Sequence, residues 1–278
     1  MTPEDLDYVR DLLRRQAAFV VDKEKDYLIE ARLGPLAALL GYPGASEMIG
    51  AVRDGRALDL KQKIVEAMDI HETSFFRDWK PFEALRTGVL PRLVAARSRS
   101  RELVLWSAAC SNGQEPYSLA MLLREHFPEL AGWRVRILAS DISGEALARA
   151  RAGRYSTLEV NRGLPAALSV KYLERSGLDW VVRDELREAI TFLPLNLASP
   201  WPALPSIDVV LLRNVLIYFD LESRRQVLAR VAEVLQPDGV LVMGATETTF
   251  GLSEIFGTSG HGGCCYGRRP QGRGAHGA

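Results

Sequence analysis

From residue 103 onward the sequence alternates short apolar runs with helical patterns, and this alternation limits the fold more than any other feature. "LVLWSAA" (103–109), "RVRILASD" (134–141) and "IDVVLLRN" (207–214) are runs of the kind that a strand buried on both faces produces. Between or after them lie "EPYSLAMLLREHF", "GEALARARAG" and "ESRRQVLARVAEVL", in which apolar residues recur at helical spacing. Strand and helix in alternation predict an α/β fold with a parallel, doubly wound sheet. "PDGVLVMGATE" adds a further strand after a proline-glycine turn. One segment escapes the pattern: Trp180 and Val182, then Ile190 and Phe192, read as short strands around a charged turn, so a small antiparallel β insertion is expected at about 155–195.

The chain before this region has a different period. Leu6, Val9, Leu13 and Ala17, then Ile29, Leu33, Leu36 and Leu40, recur at three-to-four spacing with "GYPG" as a break, which predicts a small all-helical domain over 1–70. A linker and lid over 71–100 contains "HETSFFRDWKPF" and a further helical pattern whose second part opens at Pro91. The α/β domain then runs over 101–266. The last residues, "GRRPQGRGAHGA" (267–278), have nothing to bury and are expected to be a disordered tail.

Charge and cysteine usage remove several classes of function. Lys plus Arg equals Asp plus Glu at 35 each, so no global field draws the chain to nucleic acid or to an anionic bilayer. The charged N-terminus lacks an apolar leader and no window reaches the length of a membrane span, which implies a cytoplasmic protein with no membrane insertion. Cys110, Cys264 and Cys265 make an odd count with two neighbours adjacent, so no disulfide framework is expected. The histidines are scattered without CxxC partners, so no metal is expected either.

The strongest chemical signal is "VLWSAACSNGQEPYSLA" (104–120). A buried strand runs into a loop of small residues, and Gln114, Glu115 and Pro116 then open a helix. Small side chains there let backbone approach a ligand at the carboxyl end of the first strand. The GxGxxG spacing and the P-loop lysine are both absent, so the loop is no phosphate cradle. Glu115 at the helix start would repel a pyrophosphate and accept an ammonium or sulfonium ligand, unless it only complements the helix dipole. Asp141 ends "ILASD" 26 residues later, where an acid can accept both hydroxyls of a ribose or can cap the next helix. Loop and acid together favour a nucleoside cofactor without phosphates, and S-adenosylmethionine fits.

In order along the chain, "ETSFFRDWKPF", "WSAACSNGQEPYSLA", "ASDISGEALARARAGRYS", "FLPLNLASPWP", "DVVLLRNVLIYFD" and "LQPDGVLVMGATET" resemble the CheR-type chemotaxis receptor glutamate O-methyltransferases. The resemblance implies a doubly wound, Rossmann-like S-adenosylmethionine-dependent methyltransferase domain with a small β insertion, preceded by a helical domain. It implies cofactor contacts from His71, Thr73, Arg77, Glu115, Asp141, Asn196, Leu197, Arg213 and Asn214, and places Arg77 and Tyr218 nearest the methyl-accepting carboxylate. Phe75 and Phe76 are expected to close with Thr73 over the cofactor as a lid. The implied reaction converts S-adenosyl-L-methionine to S-adenosyl-L-homocysteine and esterifies glutamates in the cytoplasmic helical region of a chemoreceptor. A glutamate with a reference pKa of about 4.3 is already ionised at neutral pH and needs no general base. Position 71 is His where the family usually has Asn, and "EARLGPLAALLGY" carries only Arg32 where the family has a basic, receptor-reading helix. The short turn around "SGLDWVV" suits members that work without a tethering peptide on the receptor. A non-catalytic S-adenosylmethionine-binding module of a signalling assembly is the alternative.

Overall fold

A computed structural model describes residues 1–69 and 71–269. Helix α1 (Pro3–Ala17) starts where the Thr2 side chain accepts from the Asp5 N–H and Asp5 returns the bond, with Pro3 in the first turn. Its Leu6, Val9, Leu13 and Ala17 face inward, as the spacing requires. Helices α2 (Asp26–Leu39), α3 (Ala45–Arg53) and α4 (Leu60–Met68) pack around it through Ile29, Leu33, Met48, Ile49, Ile64 and Val65. Next come α5 (Lys80–Ala84), a wide π turn over Leu85–Val89, and α6 (Leu90–Ala96). The widening falls just before Pro91, which has no N–H to give to the preceding turn, and the Leu90 N–H bonds Leu85 O instead.

The rest of the chain runs β1 (Glu102–Ala108), α7 (Gln114–His126), β2 (Arg134–Asp141), α8 (Gly144–Ala152), β3 (Arg154–Ser156), α9 (Thr157–Asn161), α10 (Ala166–Tyr172), β4 (Leu173–Ser176), β5 (Asp179–Val182), α11 (Asp184–Arg187), β6 (Ile190–Pro194), β7 (Ile207–Leu212), α12 (Leu221–Val234), β8 (Leu235–Met243), β9 (Phe256–Thr258) and β10 (Cys265–Arg268). The main sheet has the order β6-β2-β1-β7-β8-β10-β9, parallel through β8 and antiparallel for the last two strands. Chain order reverses between β1 and β7, and such a switch point opens a crevice at the carboxyl ends of the strands. Side chains alternate across the sheet as a period of two demands. Val104, Trp106, Val210 and Leu212 share a core with α12 and with α1–α4, whereas Leu103, Leu105, Val209 and Leu211 pack with α6 and α7. The buried residues of the helical segment therefore run into the same core as this face of the sheet, and its direct contacts reach the loops at the carboxyl ends of the strands, as in Val20 N–H to Tyr218 O and Asn196 Nδ2 to Gln16 O. At the other end of the strands, buried Asp208 accepts from the Val104 N–H at 2.8 Å and from Arg97 Nε at 2.8 Å, and Arg97 also grips Asp238.

Two sequence expectations are corrected here. The small antiparallel sheet contains only β3, β5 and β4, and Ile190 and Phe192 belong to the main sheet, where β6 runs parallel to β2 from Ile137↔Ile190 to Asp141↔Pro194. A short apolar run carries no mark of which sheet recruits it. The tail does not begin at 267, because Gly267 and Arg268 pair with Gly257 and Phe256 of β9. Backbone pairing needs no apolar side chain, so composition could not locate that boundary. The remaining tail residues, 270–278, lie outside the described residues. Among the described residues no helix is long and apolar enough to cross a membrane.

Candidate functional site

The carboxyl ends of four adjacent parallel strands, β6, β2, β1 and β7, line one crevice. About 790 Å³ of empty space lies between its walls, open solvent at the mouth included. The loop after β1 reaches it by alternating into the left-handed region at Ala109 (φ 61°), Ser111 (φ 51°) and Gly113 (φ 92°). Only glycine fits at 113, since a Cβ there would stand 2.8 Å from Ala150 Cβ and 3.1 Å from Tyr155 Oη. The strained turn is held by three bonds: Cys110 N–H to Ser140 O at 2.8 Å, Ser111 N–H to Asp141 Oδ2 at 2.8 Å, and Tyr155 Oη–H to Asn112 O at 2.6 Å. Ser111 Oγ, on the crevice wall, is buried and has no partner, which is the state of a group that a ligand completes.

Two acids anchor the floor. Glu115, in the first turn of α7, accepts from Ser107 Oγ–H at 2.7 Å and from Arg213 Nη1 at 2.7 Å. Asp141 takes one backbone N–H on each oxygen, from Ser111 and from Ser143 at 2.9 Å, and lines the crevice with further acceptor capacity on both oxygens. Capping of α8 falls to Ser143, whose Oγ accepts from the Ala146 N–H at 3.1 Å. Burial pushes the Asp141 carboxyl up to about 6, with the charge of Asp69 adding to the rise and the two backbone bonds opposing it.

Thr73, Arg77, Asn196, Leu197, Arg213, Asn214 and Tyr218 also line the crevice. His71 does not; its Nδ1 lies 3.5 Å from Asp69 Oδ2, and it is Asp69 that reaches the wall. Asn196 spans two segments, giving Nδ2 to Gln16 O at 2.6 Å and accepting from the Ala198 N–H at 2.9 Å in an Asx turn. Asn214 sits at φ 58° with its N–H on Glu247 Oε2 at 2.6 Å. The same carboxylate accepts from Leu216 and Gly244, so the "MGATET" stretch shapes the loop after β7. Tyr218 is tied to the end of α1 by Val20 N–H to Tyr218 O at 2.8 Å, and its ring meets Phe19 edge-on at 6.3 Å. Burial raises the Tyr218 phenol above its ordinary value against the opposing field of Arg77, so it remains a neutral donor at physiological pH.

The expected phenylalanine lid is not what the fold makes of "ETSFFRDW". Phe75 and Phe76 are buried and absent from the crevice wall; Phe75 meets Tyr155 edge-on at 5.1 Å and Phe76 meets Phe82 at 5.2 Å. Large aromatic surfaces gain more from this packing than from facing a polar cleft. They are the roots of the loop, and Thr73 and Arg77 are what it presents. Sequence reasoning also passed over Asp69, Glu247, and Ala17 and Phe19 at the end of α1, all of which build or line the site. Glu247 stood inside a quoted motif without a role; the others carry no local signal.

Residues 71–262 match the family described as CheR methyltransferase, SAM binding domain. The chain belongs to the CheR methyltransferase family. Among relatives of this CheR chain, "Chemotaxis protein methyltransferase 1" of Pseudomonas aeruginosa is 38% identical over 256 residues, covering 91% of this chain and 93% of the relative. A protein of the same name from Vibrio cholerae is 37% identical over 262 residues, covering 92% and 94%. The CheR match contains every strand that contributes to the crevice, whereas Asp69 and the wall formed by α1 lie before it.

Proposed function

We propose that this CheR-family chain methylates glutamate side-chain carboxylates in the cytoplasmic helical region of a chemoreceptor, acting in the cytoplasm and without a receptor tether. The observation that carries the reading is the convergence of Arg77 and Tyr218, from opposite sides of the sequence, on the crevice that holds Glu115 and Asp141. S-adenosylmethionine, when bound, supplies an electrophilic methyl carbon on a positively charged sulfur. The donor set suits that ligand: the orphaned Ser111 Oγ, the free lone pairs of Asp141 for ribose hydroxyls, Glu115 for a cation, and Leu197 as an apolar wall. Asn196 and Asn214 shape its edges through their own backbone and side-chain bonds.

The remaining work falls to positioning. A carboxylate acceptor arrives ionised, so what the protein supplies is alignment and exclusion of water. Tyr218 can donate one neutral hydrogen bond that orients the acceptor oxygen without quenching its charge. Arg77 already gives one guanidinium N–H to Glu72 O, which leaves a partial grip on an incoming anion. A full bidentate clamp would stabilise the ground state and slow transfer. The absence of a tether is supported by the turn between β4 and β5, which contains only Gly177 and Leu178.

The test is incubation with methyl-labelled S-adenosylmethionine and a receptor cytoplasmic fragment. Alkali-labile label released as methanol supports a glutamyl ester. Cofactor binding without label on the receptor would instead favour a non-catalytic module, and alkali-stable label would favour another acceptor atom.

A further inference from the structure

Arg213 lies in the crevice wall, yet its hydrogen bonds run to protein groups. Its side chain is 1% exposed. Nη1 donates to Glu115 Oε2 at 2.7 Å, and Nη2 donates to Arg77 O at 2.7 Å and to Asp78 Oδ2 at 3.1 Å. The guanidinium carbon stands 5.5 Å from the centre of the Phe82 ring, and Nε has no partner, so these contacts alone set its orientation. The loop it grips is strained, with positive φ at Phe76 (48°), Asp78 (62°) and Trp79 (20°). Non-glycine residues keep such angles only where their surroundings over-determine them.

We propose that Arg213 is a positioning residue that couples the cofactor crevice to the acceptor side: it fastens the Arg77–Trp79 loop to Glu115 and thereby fixes where Arg77 stands. The acceptor role of Arg77 rests on the function proposed above; the fastening itself does not. Only a planar fork reaches a carboxylate on one side and a carbonyl plus a second carboxylate on the other, and an ammonium on the same stem cannot span them. Asp78 offers a clean handle, because it bonds Arg213 without lining the crevice.

The test uses the full chain with Asp78→Asn, Arg213→Lys, Arg213→Gln and the Asp78→Asn/Arg213→Gln double variant. Three quantities are read: S-adenosylhomocysteine affinity by calorimetry, receptor methylation rate, and acrylamide quenching of Trp79. The last is isolated from the other four of the chain's 5 tryptophans by parallel Trp79→Phe variants. Asp78→Asn should leave S-adenosylhomocysteine affinity within about twofold, raise Trp79 quenching, and lower kcat by about tenfold, the weight of one charge-assisted bond. Arg213→Lys should not rescue Arg213→Gln, and Asp78→Asn should cost nothing further in the Arg213→Gln background. Unchanged Trp79 quenching in Asp78→Asn, or losses that multiply in the double variant, would overturn the proposal. If the wild type fails to methylate the receptor, the functional reading falls and Trp79 quenching, compared across the single and double variants, still decides the role of Arg213.

Discussion

Asp141 gives the site a pH signature that can be worked out in advance. Burial and the Asp69 charge lift its carboxyl from the ordinary 3.8 to about 6. A ligand that needs the ionised acid as a hydrogen-bond acceptor must then compete with a proton as pH falls through that value. With a pKa of about 6, affinity for S-adenosylhomocysteine should fall about elevenfold between high pH and pH 5, equivalent to about 1.4 kcal/mol. At pH 7 the same competition costs only about a tenth of the affinity. An acid at its ordinary value would lose less than a tenth even at pH 5, so the two cases separate cleanly. The assay is calorimetric titration from pH 7.5 to 5 for the wild type, Asp141→Asn, and His71→Asn, which removes the imidazole beside Asp69. Asp141→Asn should bind about tenfold more weakly at pH 7, lose the pH dependence, and meet the wild-type curve near pH 5. His71→Asn should keep the slope. A flat wild-type profile, or an undiminished slope in Asp141→Asn, would refute the assignment of Asp141 as the ligand-facing acceptor.

Three further outcomes follow from the geometry. Tyr218→Phe removes one donor from the crevice while sparing the backbone bond to Val20, so kcat should drop on the order of a hundredfold with melting temperature almost unchanged. Gly163→Ala should destabilise the fold by more than about 1 kcal/mol in denaturant titration, since Gly163 has φ +100° and an added Cβ would stand 2.2 Å from Phe75 O. Arg97→Ala strips the guanidinium from buried Asp208 and should cost about 3 kcal/mol of stability, visible as a shift of the unfolding midpoint without loss of S-adenosylhomocysteine binding.

What could be read from the sequence was what is written locally. The apolar runs that became β1, β2 and β7 are buried along most of their length, and the three-to-four spacing of Leu6, Val9, Leu13 and Ala17 is the inner face of α1. Glu115 and Asp141 stand where strand-end logic put them, on the crevice. The errors came where a residue's role depends on a distant partner. Ile190 joins β2 across more than fifty positions of chain, and nothing in "ITFLP" names that partner. Phe75 and Phe76 looked like a lid because aromatic residues beside a hydroxyl and an arginine suggest a cover; their burial depends on Tyr155 and Phe82. Glu247 acts 33 positions from Asn214 through three backbone N–H groups, a role that only the folded loop reveals.

The charges on the crevice wall also order the events there. Asp69, Glu115 and Asp141 face Arg77 and Arg213, Glu72 at the rim is exposed and paired with Arg162, and the Arg213 guanidinium is already shared between Glu115 and Asp78. The buried part of this wall is acidic on balance and repels an incoming carboxylate until a cation has entered, because charges as buried as Glu115 and Asp141 are poorly screened. The sulfonium supplies that cation, since the ligand's ammonium and carboxylate cancel, so acceptor binding should be tight only after cofactor binding. In the proposed reaction the product, neutral at sulfur, would withdraw that charge at the moment the acceptor became a neutral ester. Receptor-fragment affinity should therefore be higher with sinefungin, whose amine mimics the sulfonium charge, than with S-adenosylhomocysteine, which is net neutral; equal affinities would mean that the acidic wall does not gate the acceptor.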